Sequence, residues 1–358
     1  MIEDDDDAPR TGIALIGAGM IAERHVSALS AARSRTRLVA IVSRRPERAR
    51  HLARHYAGPA PLFTDDVAAV AADPGVQVVV VAMPPSVRVE LVGTLAAAGK
   101  HVLLEKPVAR TVDEAVRVVR SCERAGVTLG VLFQHRVRAP SLAARRLLAD
   151  GALGEPGHVE IAVPLWRPQS YYDELGRGTY ARDGGGVLIT QAIHTIDLAL
   201  SLAGPVSRVQ AMTATTPLHR MESEDLAVAG LRFASGAVGS LVASTATFPH
   251  GREAITLHCR HGSARVGVDA LEVAWRDGRV ERHPPDAGPD GERGAPVPRH
   301  EWHRAVIEDF VDAVRRGRDP MVTGDEALAS HRLIEAIEIS SRDGVAVDLP
   351  GRPGRAAR

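Results

Sequence analysis

Between residues 11 and 131 short β-branched runs alternate with helical stretches, and no other feature of the chain constrains its fold as strongly. Gly12–Ile16, Leu38–Val42, Val76–Val81, Val102–Leu104 and Val127–Val131 are apolar throughout, as strands covered on both faces must be. Helical segments separate them, near 20–32, 46–56, 86–98 and 111–125. Strands spaced by helices run parallel and are joined by right-handed crossovers, so this half predicts an α/β layer around a parallel sheet. From about Gly157 the pattern changes. Strand-like stretches at 205–213, 224–233, 237–247, 253–259, 263–268 and 271–276 follow one another through turns such as Ala234-Ser235-Gly236. Strands in direct succession predict an antiparallel sheet. A mobile excursion rich in Pro and Gly is expected over 281–300, then helices over 301–316 and 325–341. The expected division is a dinucleotide-binding domain at 9–133 and a substrate and oligomerisation domain at 134–348, with disordered tails at 1–8 and 349–358.

Charge removes several function classes. The 44 basic residues balance 44 acidic ones, so no global field draws the chain to nucleic acid or anionic lipid. Aromatics, at 3%, are too few for the stacking platforms of single-strand binders. Apolar runs such as Val78 to Met83 fall far short of the roughly 20 residues that span a bilayer. The acidic run Glu3 to Asp7 is the opposite of a signal peptide's basic start. Cys122 and Cys259 can build neither a disulfide framework nor a thiolate zinc site, which suits core cysteines in a cytoplasmic protein. Only two of the basic residues are lysine, Lys100 and Lys106. In a chain that otherwise writes Arg, a retained Lys marks a place where a compact, titratable ammonium serves and a guanidinium does not. For Lys100, at a Gly-Lys turn, chance is the simpler explanation.

The first strand runs into Gly17-Ala18-Gly19-Met20-Ile21-Ala22, a G-x-G-x-x-A turn that opens a helix. Gly17 permits the tight turn, Gly19 lets backbone approach a pyrophosphate, and Ala22 allows close helix–strand packing. The helix start offers free N–H groups to phosphates, so Gly17, Gly19, Met20 and Ile21 are candidate cofactor contacts. An NAD site wants a carboxylate after the second strand, yet no acidic residue lies between Glu23 and Glu47. The strand ends instead in Ser43-Arg44-Arg45, a hydroxyl and two guanidiniums suited to a 2′-phosphate. NADP is therefore expected, with NAD possible and an exposed arginine cap as the alternative. Met83 and Pro84, ending the fourth strand, and Glu105 and Lys106, ending the fifth, sit at the carboxyl edge where such sheets bind ligands. Lys106 would stand beside the nicotinamide, and a simple pairing with Glu105 is disfavoured because strand neighbours point to opposite faces.

In the second half, Gly184-Gly185-Gly186 leads into an apolar helix that places Thr190, His194 and Asp197 on one polar face. That stripe and the flexible glycines before it lift His194 above an ordinary core histidine; Thr190 and Gln191 are candidate substrate contacts. In the loop Trp166-Arg167-Pro168-Gln169-Ser170-Tyr171-Tyr172, Arg167 and Tyr172 suit a polar ring with a carboxylate or phosphate, although a plain surface loop would read the same. His258-Cys259-Arg260-His261 and His300-Glu301-Trp302-His303 lack the ligand count a metal requires, and no metal is expected.

Together these residues resemble the Gfo/Idh/MocA oxidoreductases. The likeness rests on the glycine turn with Ile21-Ala22 and His25 after it, Glu105-Lys106-Pro107, Gly184-Gly185-Gly186 followed by His194 and Asp197, and Val322-Thr323-Gly324. It implies a Rossmann domain followed by an open-faced, mainly antiparallel sheet, and nicotinamide-dependent chemistry on sugars, nucleotide sugars, cyclic polyols or cis-dihydrodiols. The family's lysine falls on Lys106 and its catalytic histidine on His194. Two positions depart from it: Thr190 stands where relatives often carry Asp, and Arg88 where a histidine commonly follows the proline turn.

The expected reaction is hydride transfer between the nicotinamide and a secondary alcohol or ketone carbon of a carbohydrate-like substrate. His194, with an unperturbed pKa of about 6.5, would take the hydroxyl proton, and Lys106 would hold the same oxygen. The rival readings are a dinucleotide-binding regulator without turnover, which would need neither residue, and an NAD-dependent glycosidase. An exposed sheet face points to a homodimer or homotetramer.

Overall fold

The computed structural model describes residues 10–283 and 299–350. Their contacts divide them into two compact units, one of 10–109, 113–134 and 299–327, the other of 110–112, 135–283 and 328–350. The chain passes from the first unit to the second after Gln134, and residues 299–327 then return to the first unit. Among the described residues no helix is long and apolar enough to cross a membrane.

The first unit holds β1 (Thr11–Ile16), β2 (Thr36–Val42), β3 (Leu62–Thr64), β4 (Val78–Val81), β5 (His101–Glu105) and β6 (Leu129–Leu132) in one parallel sheet, ordered β3-β2-β1-β4-β5-β6. β1 and β4 are buried at every residue, which is why their sequences show no alternation. The order reverses between β1 and β4, and ligands of open α/β sheets bind outside the strand ends at such a switch point. The helix Arg299–Arg316 packs on the helix Ala22–Ala31 and on β5 and β6. In Val112–Ala125, Ala115, Val118, Val119 and Cys122 make the buried stripe, so Cys122 is a core residue as read. β3 escaped sequence reading because it is a three-residue edge strand without buried side chains. The stretch read as one helix at 46–56 breaks into Pro46–Ala49 and a 3-10 turn, Arg50–His55.

Among the described residues the second unit is built on nine strands: β7 (Pro156–Pro164), β8 (Val206–Ala214), β9 (Leu226–Phe233), β10 (Val238–Ser244), β11 (Ala254–Cys259), β12 (Gly262–Gly267), β13 (Leu271–Trp275), β14 (Val280–His283) and β15 (Val347–Asp348). Their order is β14-β13-β12-β11-β7-β10-β9-β8-β15. All neighbours pair antiparallel except β7 with β10. The central strand β7 was not read from the sequence, where Pro156, Gly157 and Pro164 frame it as a loop. Inside, Val159, Ile161 and Val163 are buried and Glu160 exposed, the period of a sheet covered on one face. The helices Ala139–Ala149 and Ile193–Ala203 cover that face, the first over β12 and β13 and the second over β7 and β11. On the opposite face, register aligns Met212, Val228, Val242 and Ala162 in a row across four strands. The excursion read at 281–300 begins as β14, and its residues 284–298 lie outside the described residues. So do the tail 1–8 and residues 351–358, whereas Leu349 donates its amide to the Ser207 carbonyl at 2.8 Å.

Candidate active site

In the first unit the exit of β1 is shaped by a close approach. Gly17 has φ +115°, and a Cβ there would stand 2.8 Å from the Ala82 carbonyl oxygen, so only glycine lets β1 and β4 leave the sheet side by side. A Cβ on Gly19 would meet nothing within 4 Å, which leaves backbone open to an incoming phosphate. The turn borders a cavity of about 640 Å³ whose wall joins Gly17 and Gly19 to Ser43, Arg44 and Arg45 on one side and Met83 and Pro84 on the other. A dinucleotide fits this lining: glycine backbone for phosphates, guanidiniums for a further anionic group. Met20 and Ile21 do not line the cavity; they head the helix Ala22–Ala31, with Met20 exposed. Arg48, which sequence reading missed, joins the wall from the short helix Pro46–Ala49, one turn beyond Arg44. Glu47 is occupied by Arg50 through contacts of 2.6 and 3.1 Å, so this segment's carboxylate does not neutralise that wall. The hydroxyl of Ser43 accepts from the Arg45 amide at 3.2 Å and turns the chain out of β2.

β5 ends with Glu105, and the Lys106–Pro107 peptide that follows is cis. Glu105 turns its carboxylate into the protein, where Oε1 lies 2.9 Å from Nε2 of His25 and 3.8 Å from Nε2 of His303. Burial opposes its ionisation, but the hydrogen bond from His25 and the positive fields of His25, His303 and Lys106 hold it down at about 2. What Glu105 can offer a cofactor is thus its backbone. His303, read earlier only against its neighbour His300, instead completes a buried trio with His25 and Glu105 whose ligand atoms lie within 4.8 Å of one another.

In the second unit the triple glycine is a packed turn, not the flexible one its sequence suggested. A Cβ on Gly186 would fall 1.8 Å from the Glu224 carbonyl oxygen, and the Glu224 carboxylate accepts the amides of Gly186 and Leu188 at 3.0 Å each. The next residues, Leu188–Ala192, form a π-turn before the helix Ile193–Ala203. The extra residue in that turn breaks the spacing on which a shared polar face depended. Thr190 returns its hydroxyl to the Gly186 carbonyl at 2.6 Å. Asp197, 1% exposed, binds Arg136 through two 2.7 Å contacts. His194 stacks on His135, with centroids 4.5 Å apart and planes 21° apart. Behind it His135 contacts Arg138, whose guanidinium burial pushes down to about 10 against the opposing charges of Glu253 and Asp269. Glu253 accepts from the Thr195 hydroxyl at 2.8 Å. Sequence reading missed His135, Arg136 and Arg138; their one signal is a run of polar, basic residues just after the apolar strand β6.

The aromatic loop divides. Arg167 donates to Oε1 of Gln191 at 3.0 Å and lies over the Tyr171 ring, and Gln191 in turn donates to the Tyr171 hydroxyl at 3.2 Å. Tyr172 instead pairs with the Thr245 hydroxyl at 2.6 Å, and burial pushes its phenol up to about 12. Beneath the loop the buried His219 bridges Asp225 at 2.7 Å and the Arg167 carbonyl at 2.8 Å.

Known proteins resemble this chain in sequence and fold. Residues 11–133 match the oxidoreductase family with an NAD-binding Rossmann fold named GFO_IDH_MocA, and residues 141–265 match the GFO/IDH/MocA C-terminal domain. D-apiose dehydrogenase of Paraburkholderia graminis is 30% identical over 346 residues, 94% of this chain and 89% of that one. An NADP-dependent scyllo-inositol 2-dehydrogenase of Bacillus subtilis is 24% identical over 76% of this chain and 78% of its own. The crystal structure of the WlbA dehydrogenase from Bordetella pertussis, in complex with NADH and UDP-GlcNAcA, superimposes with a TM-score of 0.80 at 32% identity, covering 96% of this chain and 99% of that one. With matches in both halves and a shared order of elements almost end to end, the chain belongs to the Gfo/Idh/MocA family of nicotinamide-dependent oxidoreductases.

Proposed function

We propose that the enzyme is NADP-preferring and moves a hydride to or from a secondary alcohol carbon of a sugar, nucleotide sugar or cyclic polyol. The observation that carries the cofactor choice is the wall of Ser43, Arg44, Arg45 and Arg48, with the neighbouring carboxylate drawn off to Arg50. A 2′-phosphate is dianionic near neutral pH and is met there by charge-assisted hydrogen bonds. The relatives include both cofactor kinds, an NADP-dependent and an NAD-dependent inositol dehydrogenase among them. Bound there, the nicotinamide ring supplies the hydride acceptor or donor. His194 accepts the substrate hydroxyl proton, and Lys106 donates to the reacting oxygen and stabilises its alkoxide character. Thr190 cannot titrate, and its hydroxyl is turned to the Gly186 carbonyl, so the acid–base work falls to His194 and Lys106. Arg167, propped by Gln191 and Tyr171, keeps donors for an anionic or hydroxyl-rich part of the substrate. A homodimer or homotetramer follows from the apolar row of Met212, Val228 and Val242, exposed by 57, 38 and 45%, which a second copy would cover.

Titrating both dinucleotides against wild type and Arg44→Ala tests the cofactor reading. NADP should bind at least about tenfold more tightly than NAD, and the variant should lose most of that preference, as expected for removing a charged hydrogen-bond donor. Equal wild-type affinities would sink the assignment.

A further inference from the structure

We infer that Arg88 is a positioning residue for Lys106, clamping the backbone on both sides of the lysine to the exit turn of β4. The inference rests on the proposed role of Lys106 at the reacting oxygen. Arg88 opens the helix Arg88–Ala97 yet is only 3% exposed. A cation is unfavourable at a helix start, and a buried guanidinium is costly unless its donors are used. They are used here on backbone. Nε and Nη2 both donate to the Met83 carbonyl, at 2.8 and 2.7 Å. Nη1 donates to the carbonyls of Glu105 and Pro107, the two residues that bracket Lys106. One planar cation thus ties three acceptors beyond the end of the β4–β5 ladder, whose last pair is Val81 with Leu104. Met83 also lines the dinucleotide cavity, so the clamp sets the lysine's backbone against the cofactor's wall. The carboxylate of Glu105, held by His25, supplies the opposing charge for the buried guanidinium. A lysine at 88 keeps the charge but lacks the fork that reaches three carbonyls.

The chain's two lysines make the test direct. Protein grown on isotopically labelled lysine gives one NMR signal for Lys106 and one for Lys100. The Lys100 amine is bound to the carbonyls of Asp73 and Val76, away from the clamp, and reports whether the sheet is intact. In Arg88→Gln, which adds no lysine and lacks the fork, the Lys106 signal should shift or split while the Lys100 signal stays, and kcat should fall about 10- to 100-fold with NADP affinity little changed. In Arg88→Ala, added guanidinium ion should restore the Lys106 signal and part of kcat. A Lys106 signal that superimposes on wild type in Arg88→Gln overturns the clamp. If Arg88→Gln fails to fold, the guanidinium titration decides, and no recovery of the Lys106 signal overturns the inference. Turnover of Lys106→Arg tests the catalytic reading separately, since the lysine signals report the clamp whatever that reading's fate.

Discussion

Lys100 and Lys106 illustrate how position gives one residue type two different tasks. Lys100 is buried, and its amine holds two backbone carbonyls at 2.7 and 2.8 Å, so it has a structural reason to be there that its sequence context did not suggest. Lys106 follows the last residue of β5, on the edge where ligands of such sheets bind. A charge anchor would survive replacement by Arg, whereas a proton-bearing contact to the reacting oxygen would not. Lys106→Arg and Lys106→Ala should both lower kcat by about 100-fold or more, the range of general acid–base and oxyanion groups, with NADP binding little changed. Near-normal turnover of Lys106→Arg, measured by nicotinamide absorbance, would leave His194 alone with the proton. For Arg167→Ala the expected outcome is a raised KM for an anionic substrate at unchanged NADP affinity. Identical kinetics would reduce Arg167 to a prop for Gln191 and Tyr171, and would favour a neutral substrate.

At the level of elements, the turn that delivers His194 is held by acids. Glu224 caps the amides of Gly186 and Leu188, and Glu338, on the helix Gly324–Asp343, sits close behind Gly185. Burial first, then the charges of Glu224 and Glu335, push the Glu338 carboxyl up to about 8 from its ordinary 4.5, with Arg342 opposing them. Between those two values the folded chain keeps a proton that the unfolded chain has released. Stability therefore falls as pH rises through that window and is insensitive to Glu338 below it. Glu338→Gln cannot ionise and should raise Tm relative to wild type more at about pH 8.5 than at about pH 5, by the equivalent of ~1 kcal/mol or more. Thermal melts showing the same difference at both pH values would refute this. The glycines here were visible in the sequence, but their purpose was not. Gly186 is required by a backbone oxygen of Glu224, 38 residues further along the chain.

For the molecule as a whole, the exposed row across β8, β9 and β10 gives the self-association reading a sharp test. Val242 lies at the middle of that row, between Val228 and Ala162. Val242→Arg should shift sedimentation toward monomer with secondary structure unchanged, because a desolvated guanidinium without a partner cannot be buried between copies. An unchanged sedimentation coefficient at the wild-type oligomer would remove this face from the contact. The sequence by itself determined the parallel half, from apolar runs spaced by helices, and the dinucleotide turn, from Gly17 and Gly19. It also determined most of the antiparallel half, from period-two patterning broken by turns. These are relations between near neighbours, set by sterics and burial, and they survive in one dimension. Only the tertiary structure decided that Glu105 would meet His25, 80 residues before it, and that His135 would stack under His194. The same holds for Arg88 reaching the carbonyls of Glu105 and Pro107, and for Asp197 spending its charge on Arg136. Those contacts depend on strand order, on one extra residue in a π-turn and on which buried donors lack a ladder partner, and no local pattern encodes such distances.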